Sequence, residues 1–202
     1  MAATFFLVRH ASFDGLGEKL IGRAEGFPLN AKGKEEAMNL AHRFAALSIS
    51  AVHSSPRTRA RETAQTIAET AGLNVQIDAG LDEIDYGEWT GKCFRELEGN
   101  PEWRRFNLFR SVSRIPKGES MVEVTQRAME MLERHRRHYE GRAAVLVTHA
   151  DWIRTVFAHY SGICLDLMQR VEISPASISV LRLDDYAPKI LRLNDTGALQ
   201  TQ

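Results

Sequence analysis

The sequence predicts an α/β fold: a three-layer sandwich with a mainly parallel central sheet flanked by helices. Three observations predict it. Apolar runs at residues 5–8, 50–54, 75–77 and 143–148 have the length and residue types of short buried strands. Longer stretches with apolar residues at helical spacing alternate with them. An alternation of this kind over 202 residues closes most economically as parallel crossover units around one core, and residues 1–202 are read as one domain.

The elements follow in order. Phe5-Phe6-Leu7-Val8 is the first strand and ends at Arg9-His10. A long glycine-containing loop follows, through Gly15, Gly17, Gly22 and Gly26; long ordered loops are often functional. Residues 33–47 predict a helix with Ala37, Leu40, Ala41, Phe44 and Leu47 on one stripe. The strand at 50–54 leads into Ser55-Pro56, read as the N-cap and first position of a helix that Gly72 stops. After the strand at 75–77 comes a loop rich in carboxylates and aromatics, from Leu81 to Gly91. Residues 94–116 are less regular and read as a lid or a substrate-contact insertion. Ser120 with Glu123 predicts a capping box opening a helix with Met121, Val124, Ala128, Met131, Leu132 and His135 on its apolar face. The clearest strand, 143–148, ends at His149, and a helix carrying Ile153, Val156, Phe157 and Tyr160 follows. Residues 177–183 and 190–193 predict two more strands.

Composition narrows the classes. Lys and Arg number 26 and Asp and Glu 26, so there is no overall basic surface for nucleic acid. Hydrophobic content of 44% and charged content of 26% are those of a soluble globular protein. No apolar run is long enough for a membrane span, and no signal-peptide core precedes Arg9, so a cytoplasmic location is expected. Cys93 and Cys164 fit no metal spacing and read as free thiols.

Two strands end at a histidine, His10 and His149, and in a parallel sheet those ends lie on one side. Arg9 stands beside His10. Arg59 enters from the helix after the strand at 50–54, and Glu83, Asp85 and Glu88 come from the loop after the next strand. Two imidazoles, several guanidiniums and a carboxyl group suit a phosphate ester. Guanidiniums pair phosphoryl oxygens bidentately. A neutral imidazole attacks phosphorus without prior activation, and a carboxylic acid protonates the leaving alkoxide and then takes a proton from water. This chemistry needs no metal and no cofactor. Spacing alone does not separate Glu83 from Asp85 and Glu88.

With these residues in place, the chain resembles the histidine phosphatase superfamily, in its phosphoglycerate-mutase-like branch, over nearly its whole length. Leu7-Val8-Arg9-His10-Ala11 looks like the family's Arg-His-Gly signature, and Gly22-Arg23 through Gly33 looks like the stretch that follows it. Ser54-Ser55-Pro56-Arg57-Thr58-Arg59-Ala60 matches the segment of the second arginine, and Leu81-Asp82-Glu83 through Trp89 resembles the acid loop. Gly118-Glu119-Ser120 and Val147-Thr148-His149 complete the order. The resemblance implies a phosphoglycerate-mutase-like sandwich. It also implies His10 as the phosphorylated nucleophile, Arg9, Arg59 and His149 as holders of the phosphoryl group, and Glu83 as general acid and base. Arg23 is expected to contact substrate. Ala11, Ser12-Phe13 and Ala150 depart from the family's usual residues, and every charged catalytic group is kept.

The expected function is therefore a metal-independent phosphatase acting on a small phosphorylated substrate. The alternatives are a cofactor-dependent phosphoglycerate mutase, which by the resemblance carries a longer insertion after the acid loop, and a non-catalytic sensor of a phosphorylated ligand. Plainer roles are assigned to the remaining candidates. His42, His53, His135, His138 and His159 are read as packed or surface residues, Arg57 and Arg61 as solvated, Asp151 as a helix N-cap, and Trp103, Arg104 and Arg105 as surface packing. Oligomeric state leaves no signal in the sequence.

Overall fold

A computed structural model describes residues 1–197. Among them one sheet contains β1 (Ala3–Arg9), β2 (Ala51–Ser54), β3 (Val75–Ile77), β4 (Ala143–Thr148), β5 (Ile178–Leu183) and β6 (Lys189–Asp195), in the spatial order β3-β2-β4-β1-β5-β6. The strands from β3 to β1 pair in parallel, and β5 and β6 are added antiparallel at one edge. Helices α1 (Ala31–Phe44), α2 (Thr58–Ala71), α3 (Phe94–Glu98), α4 (Pro101–Leu108), α5 (Met121–His138) and α6 (Ala150–Ser161) complete the set.

Period-two alternation on the central strands produces the three layers. Phe5 and Leu7 of β1 and Ala144 and Leu146 of β4 join one core with Met121, Val124 and Met131 of α5 and Trp152 and Ile153 of α6. Val8, Val145 and Val147 point the other way, into a second core with Leu40 and Phe44 of α1 and Ala60, Ala64 and Ile67 of α2. Both faces of the sheet are thus covered, which the near-continuous apolar runs of β1 and β4 require. No helix among the described residues is long and apolar enough to cross a membrane.

Several local readings are corrected. Asn30 caps α1, its Oδ1 accepting from the Gly33 amide at 2.9 Å, and the helix ends at Phe44. Leu47 therefore lies past the end of the stripe expected to hold it and is 45% exposed. Ser55 does not cap α2, which begins at Thr58 with Arg57 in the N-cap position. Pro56 instead restricts the turn that brings Ser55 inward. The Ser120–Glu123 capping box on α5 is present as expected. Within 94–116 the chain forms two short helices. Asn100 caps the second, with Pro101 at its first position, a start signal present in the sequence.

Gly33 shows how tightly the loop after β1 is seated. A Cβ there would stand 1.9 Å from the Ser12 carbonyl oxygen, backbone that cannot swing aside. Gly33→Ala is expected to cost about 2–3 kcal/mol by overpacking, although alanine favours helix elsewhere. Chemical denaturation of the two proteins checks this, and equal midpoints would show that the loop gives way freely.

Candidate active site

The register of β1 on β4 sets Arg9 opposite Thr148, and the His10 amide donates to the Thr148 carbonyl at 2.9 Å. His10 and His149 therefore leave neighbouring strands side by side, with ring centroids 5.0 Å apart. Arg59, in the first turn of α2, lies between them. Its Nε donates to His10 Nε2 at 3.2 Å, and its Nη2 donates to the Gly22 carbonyl at 2.7 Å and to His149 Nδ1 at 3.2 Å. The Thr148 hydroxyl donates to the Leu81 carbonyl at 2.6 Å, fastening the acid loop to the end of β4. Arg9, His10, Arg59 and Glu83 line one cavity of about 240 Å³, with Phe13, Phe94 and Trp103 forming an aromatic wall.

Hydrogen bonding fixes the state of His10. The Ala11 carbonyl can only accept, so His10 Nδ1 carries the hydrogen of their 2.9 Å bond. Nε2 is left with its lone pair on the Arg59 side. Burial, and then the charges of Arg59 and Arg9, hold the pKa of His10 well below the usual histidine range, so the ring is neutral. Burial also lowers Arg59 to about 10, which leaves it cationic at neutral pH. A neutral nitrogen base beside fixed cations can attack a phosphoryl group whose charge those cations hold.

The carboxyl groups sort themselves by environment. Burial, followed by the Asp151 charge, pushes Glu83 up to about 7. Burial opposes ionisation of Asp151 as well, but Arg110 and Arg154 outweigh it and hold that group well below the usual carboxylate range. Asp151 accepts from Arg110 Nη1 at 3.0 Å, the Tyr86 hydroxyl at 2.8 Å and Arg154 Nη1 at 2.9 Å. Two neighbouring carboxyls pushed in opposite directions suit a proton donor and a fixed anion. Asp85 and Glu88 do not line the cavity, and Glu88 pairs instead with Lys117 at 2.7 Å. Asp151→Asn is expected to move the basic limb of the kcat profile down by about one pH unit, since the anion that keeps Glu83 protonated is gone. An unmoved limb would show that Asp151 does not act on Glu83.

Arg23, expected at the substrate, does not line the cavity. It lies behind the acid loop, where its Nε donates to the Glu83 carbonyl at 2.8 Å and its Nη2 pairs with Glu119 at 2.8 Å. Arg127 reaches the same carbonyl at 3.0 Å from α5. Two cations on one carbonyl oxygen hold the backbone that aims Glu83. Arg57, expected to be solvated, pairs with Asp82 at 3.1 Å and donates to the Arg23 carbonyl at 2.6 Å, whereas Arg61 is exposed as expected. Asp151 is not an N-cap: it lies inside α6, and His149 holds the cap position. Trp103 is half-buried, its ring edge-on to Trp89 at 5.4 Å, while Arg104 and Arg105 are exposed.

Sequence reasoning passed over Ser55, Asp82 and Arg110 as site residues. Arg110 is 1% exposed, a burial that no local pattern announces, because its partner Asp151 is 41 positions away. Ser111 beside it donates through its amide and hydroxyl to Asp166 at 2.7 and 3.0 Å, which anchors this wall of the cavity.

Known proteins share this fold. A family model for the histidine phosphatase superfamily (branch 1) matches residues 5–196. The probable phosphoglycerate mutase GpmB of Shigella boydii is 32% identical over 176 residues, covering 86% of this chain and 82% of that protein. The solved structure of YhfR from Bacillus stearothermophilus superposes with a TM-score of 0.89 at 26% identity, over 96% of this chain and 97% of that one. A putative alpha-ribazole-5'-P phosphatase from Escherichia coli has the same fold, with a TM-score of 0.86 at 22% identity over the full length of both chains. A match running from the first strand to the last, on a sheet whose two histidine-bearing strands are neighbours, leaves one assignment: the chain belongs to the histidine phosphatase superfamily, branch 1.

Proposed function

We propose that this chain is a metal-independent phosphatase that hydrolyses small phosphomonoesters through a phosphohistidine on His10. The observation that carries the reading is the pairing of a neutral His10, its Nδ1 hydrogen spent on the Ala11 carbonyl, with the buried acid Glu83 on the same cavity. Nε2 attacks phosphorus and the ester P–O bond breaks. Glu83 gives its proton to the departing alkoxide. Glu83, now a carboxylate, takes a proton from water as the water oxygen displaces His10 from phosphorus. Phosphate leaves, and His10 and Glu83 are restored. Arg9, Arg59 and His149 hold the phosphoryl oxygens, and the hydrogen that Arg59 Nε gives to His10 Nε2 passes to one of them when substrate enters.

The name of the GpmB relative favours a second reading, a phosphoglycerate mutase. A mutase must seat a second anionic group. Of the further cations on the cavity, Arg110 and Arg154 are already paired with Asp151, which leaves the exposed Lys19 at its rim-side loop. The aromatic wall of Phe13, Phe94 and Trp103 suits an uncharged remainder better. This supports hydrolysis.

The test is phosphate release from an aryl phosphate in EDTA, run beside conversion of 3-phosphoglycerate to 2-phosphoglycerate with a bisphosphate primer. EDTA-resistant release without isomerisation supports the phosphatase. Isomerisation faster than release assigns the mutase. Binding of phosphate with neither reaction assigns a sensor.

A further inference from the structure

His149 is fully buried, and charged or titratable groups face it from four elements. They are Arg9 and His10 from β1, Arg59 from α2, Asp82 from the loop after β3, and Arg127 from α5. Of these, Asp82 alone is negative. His149 does not itself line the cavity; its Nδ1 lies against Arg59, which does, and its other nitrogen, Nε2, is 2.7 Å from the Ser55 hydroxyl oxygen. That hydroxyl donates in turn to Asp82 Oδ1 at 3.3 Å. Asp82 is itself fixed by Arg57 at 3.1 Å and by the Glu83 amide at 3.0 Å. Ser55 is fully buried, and its side chain is not used to cap α2. The Ser55 hydroxyl, which also accepts from the Arg57 amide at 3.4 Å, is thus held between an imidazole and a carboxylate.

Counting hydrogens shows what this line does. A serine hydroxyl has one hydrogen. Given to Asp82, it leaves the Ser55 oxygen able to accept His149 Nε2–H. A neutral His149 then has a bare Nδ1, which meets Arg59 Nη2 well. An unprotonated phosphoryl oxygen only accepts, so to hold one Nδ1 must also carry a hydrogen, and the ring must be cationic. Arg9, Arg59 and Arg127 oppose that charge, and an arriving phosphoryl group offsets them. The Nε2 hydrogen still needs an acceptor in a dry interior.

We propose that Ser55, backed by Asp82, is a positioning residue for His149: its hydroxyl oxygen accepts the Nε2 hydrogen, so that His149 becomes an imidazolium and donates Nδ1–H to the bound phosphoryl group. The added proton comes from solvent and returns to it when phosphate departs, and only N–H bonds form and break. The same logic of a nitrogen base oriented by a third group operates in hydrolase triads. The inference rests on the reading of the cavity as a phosphoryl site.

Nitrogen-15 spectra of histidine-labelled protein saturated with inorganic phosphate read the protonation of His149 directly, with its signals assigned by their loss in His149→Gln. In the wild type both ring nitrogens are expected to carry hydrogen at pH 6.5. Ser55→Ala is expected to lower the midpoint of that titration by about one pH unit or more and to weaken phosphate at pH 7.5 by about tenfold or more. Ser55→Thr, which keeps the hydroxyl, is expected to restore both. If Ser55→Ala does not fold, Asp82→Asn, of equal volume and still able to accept from the Glu83 amide, is expected to lower the midpoint as well. A midpoint unmoved in the variants, or a neutral His149 in the phosphate-saturated wild type at pH 6.5, overturns the inference. The spectra need binding and not turnover. A wild type with a cationic His149 that releases no phosphate from esters would overturn the phosphatase and leave the inference standing; turnover with a neutral His149 would do the reverse.

Discussion

His10→Ala is expected to lower aryl-phosphate hydrolysis by about 10⁴-fold or more and to abolish the phosphorylated protein recovered by rapid quenching. The effect is large because no second nucleophile stands ready. His149 is fully buried, with Nδ1 engaged by Arg59 and Nε2 by Ser55. The variant should still bind inorganic phosphate, since Arg9 and Arg59 remain. Folding should survive, since the ring removed is neutral and its bonds are to the Ala11 carbonyl and to an arginine that keeps its bond to Gly22. Rapid-quench recovery of labelled protein, steady-state kinetics and phosphate binding check the three parts. Wild-type turnover in the variant would remove His10 from the mechanism.

Glu83→Gln is expected to lower kcat by about 10²–10⁴-fold, and the loss should depend on the leaving group. An alkoxide needs the proton that glutamine cannot give. A nitrophenolate does not, so the first turnover on p-nitrophenyl phosphate should stay fast and appear as a burst, followed by slow release because no carboxylate activates water. Equal losses on both substrates, without a burst, would place the acid elsewhere. The variant should also be more stable than the wild type at alkaline pH. Burial raises the folded-state pKa of Glu83 to about 7, so ionisation is resisted in the native protein and free in the unfolded chain. Below the unfolded pKa, near 4.3, both states hold the proton and nothing is lost. Between there and pH 7 the native protein falls progressively behind, and above pH 7 the deficit is constant. Removing the carboxyl should therefore raise stability by about 1–3 kcal/mol at pH 8, roughly 3–8 °C in Tm, and by little at pH 4. Thermal unfolding at the two pH values checks it, and a gain of equal size at both would trace it to packing.

The sequence made legible what is encoded in near neighbours. The apolar runs of β1 and β4, the Ser120–Glu123 box and the Gly72 stop depend on residues within a few positions of one another, and each is where it was expected. The two strand-end histidines also followed from local pattern, because a parallel sheet puts equivalent strand ends on one side. The misreadings share a different cause. Ser55-Pro56 looks the same whether the hydroxyl caps a helix or turns inward to a histidine 94 positions away. Asp151 at a helix start looks like a cap until Tyr86, 65 positions away, and Arg110 are seen to hold it. Arg23 sits in a substrate-like loop, yet its strongest claim is Glu119 at the far side of the acid loop. Partner choice among charged side chains is long-range, and local periodicity carries no information about it.

The place of β1 in the sheet has a consequence for synthesis. The strand that delivers Arg9 and His10 leaves the ribosome well before its neighbours, β4, beginning at Ala143, and β5, ending at Leu183. Well over a hundred residues must emerge before Phe5-Phe6-Leu7-Val8 finds a hydrogen-bonding partner. Pairing over so long a separation is slow and leaves an apolar edge open to other chains meanwhile. A nascent chain halted before β4 would carry His10 with nothing to orient it.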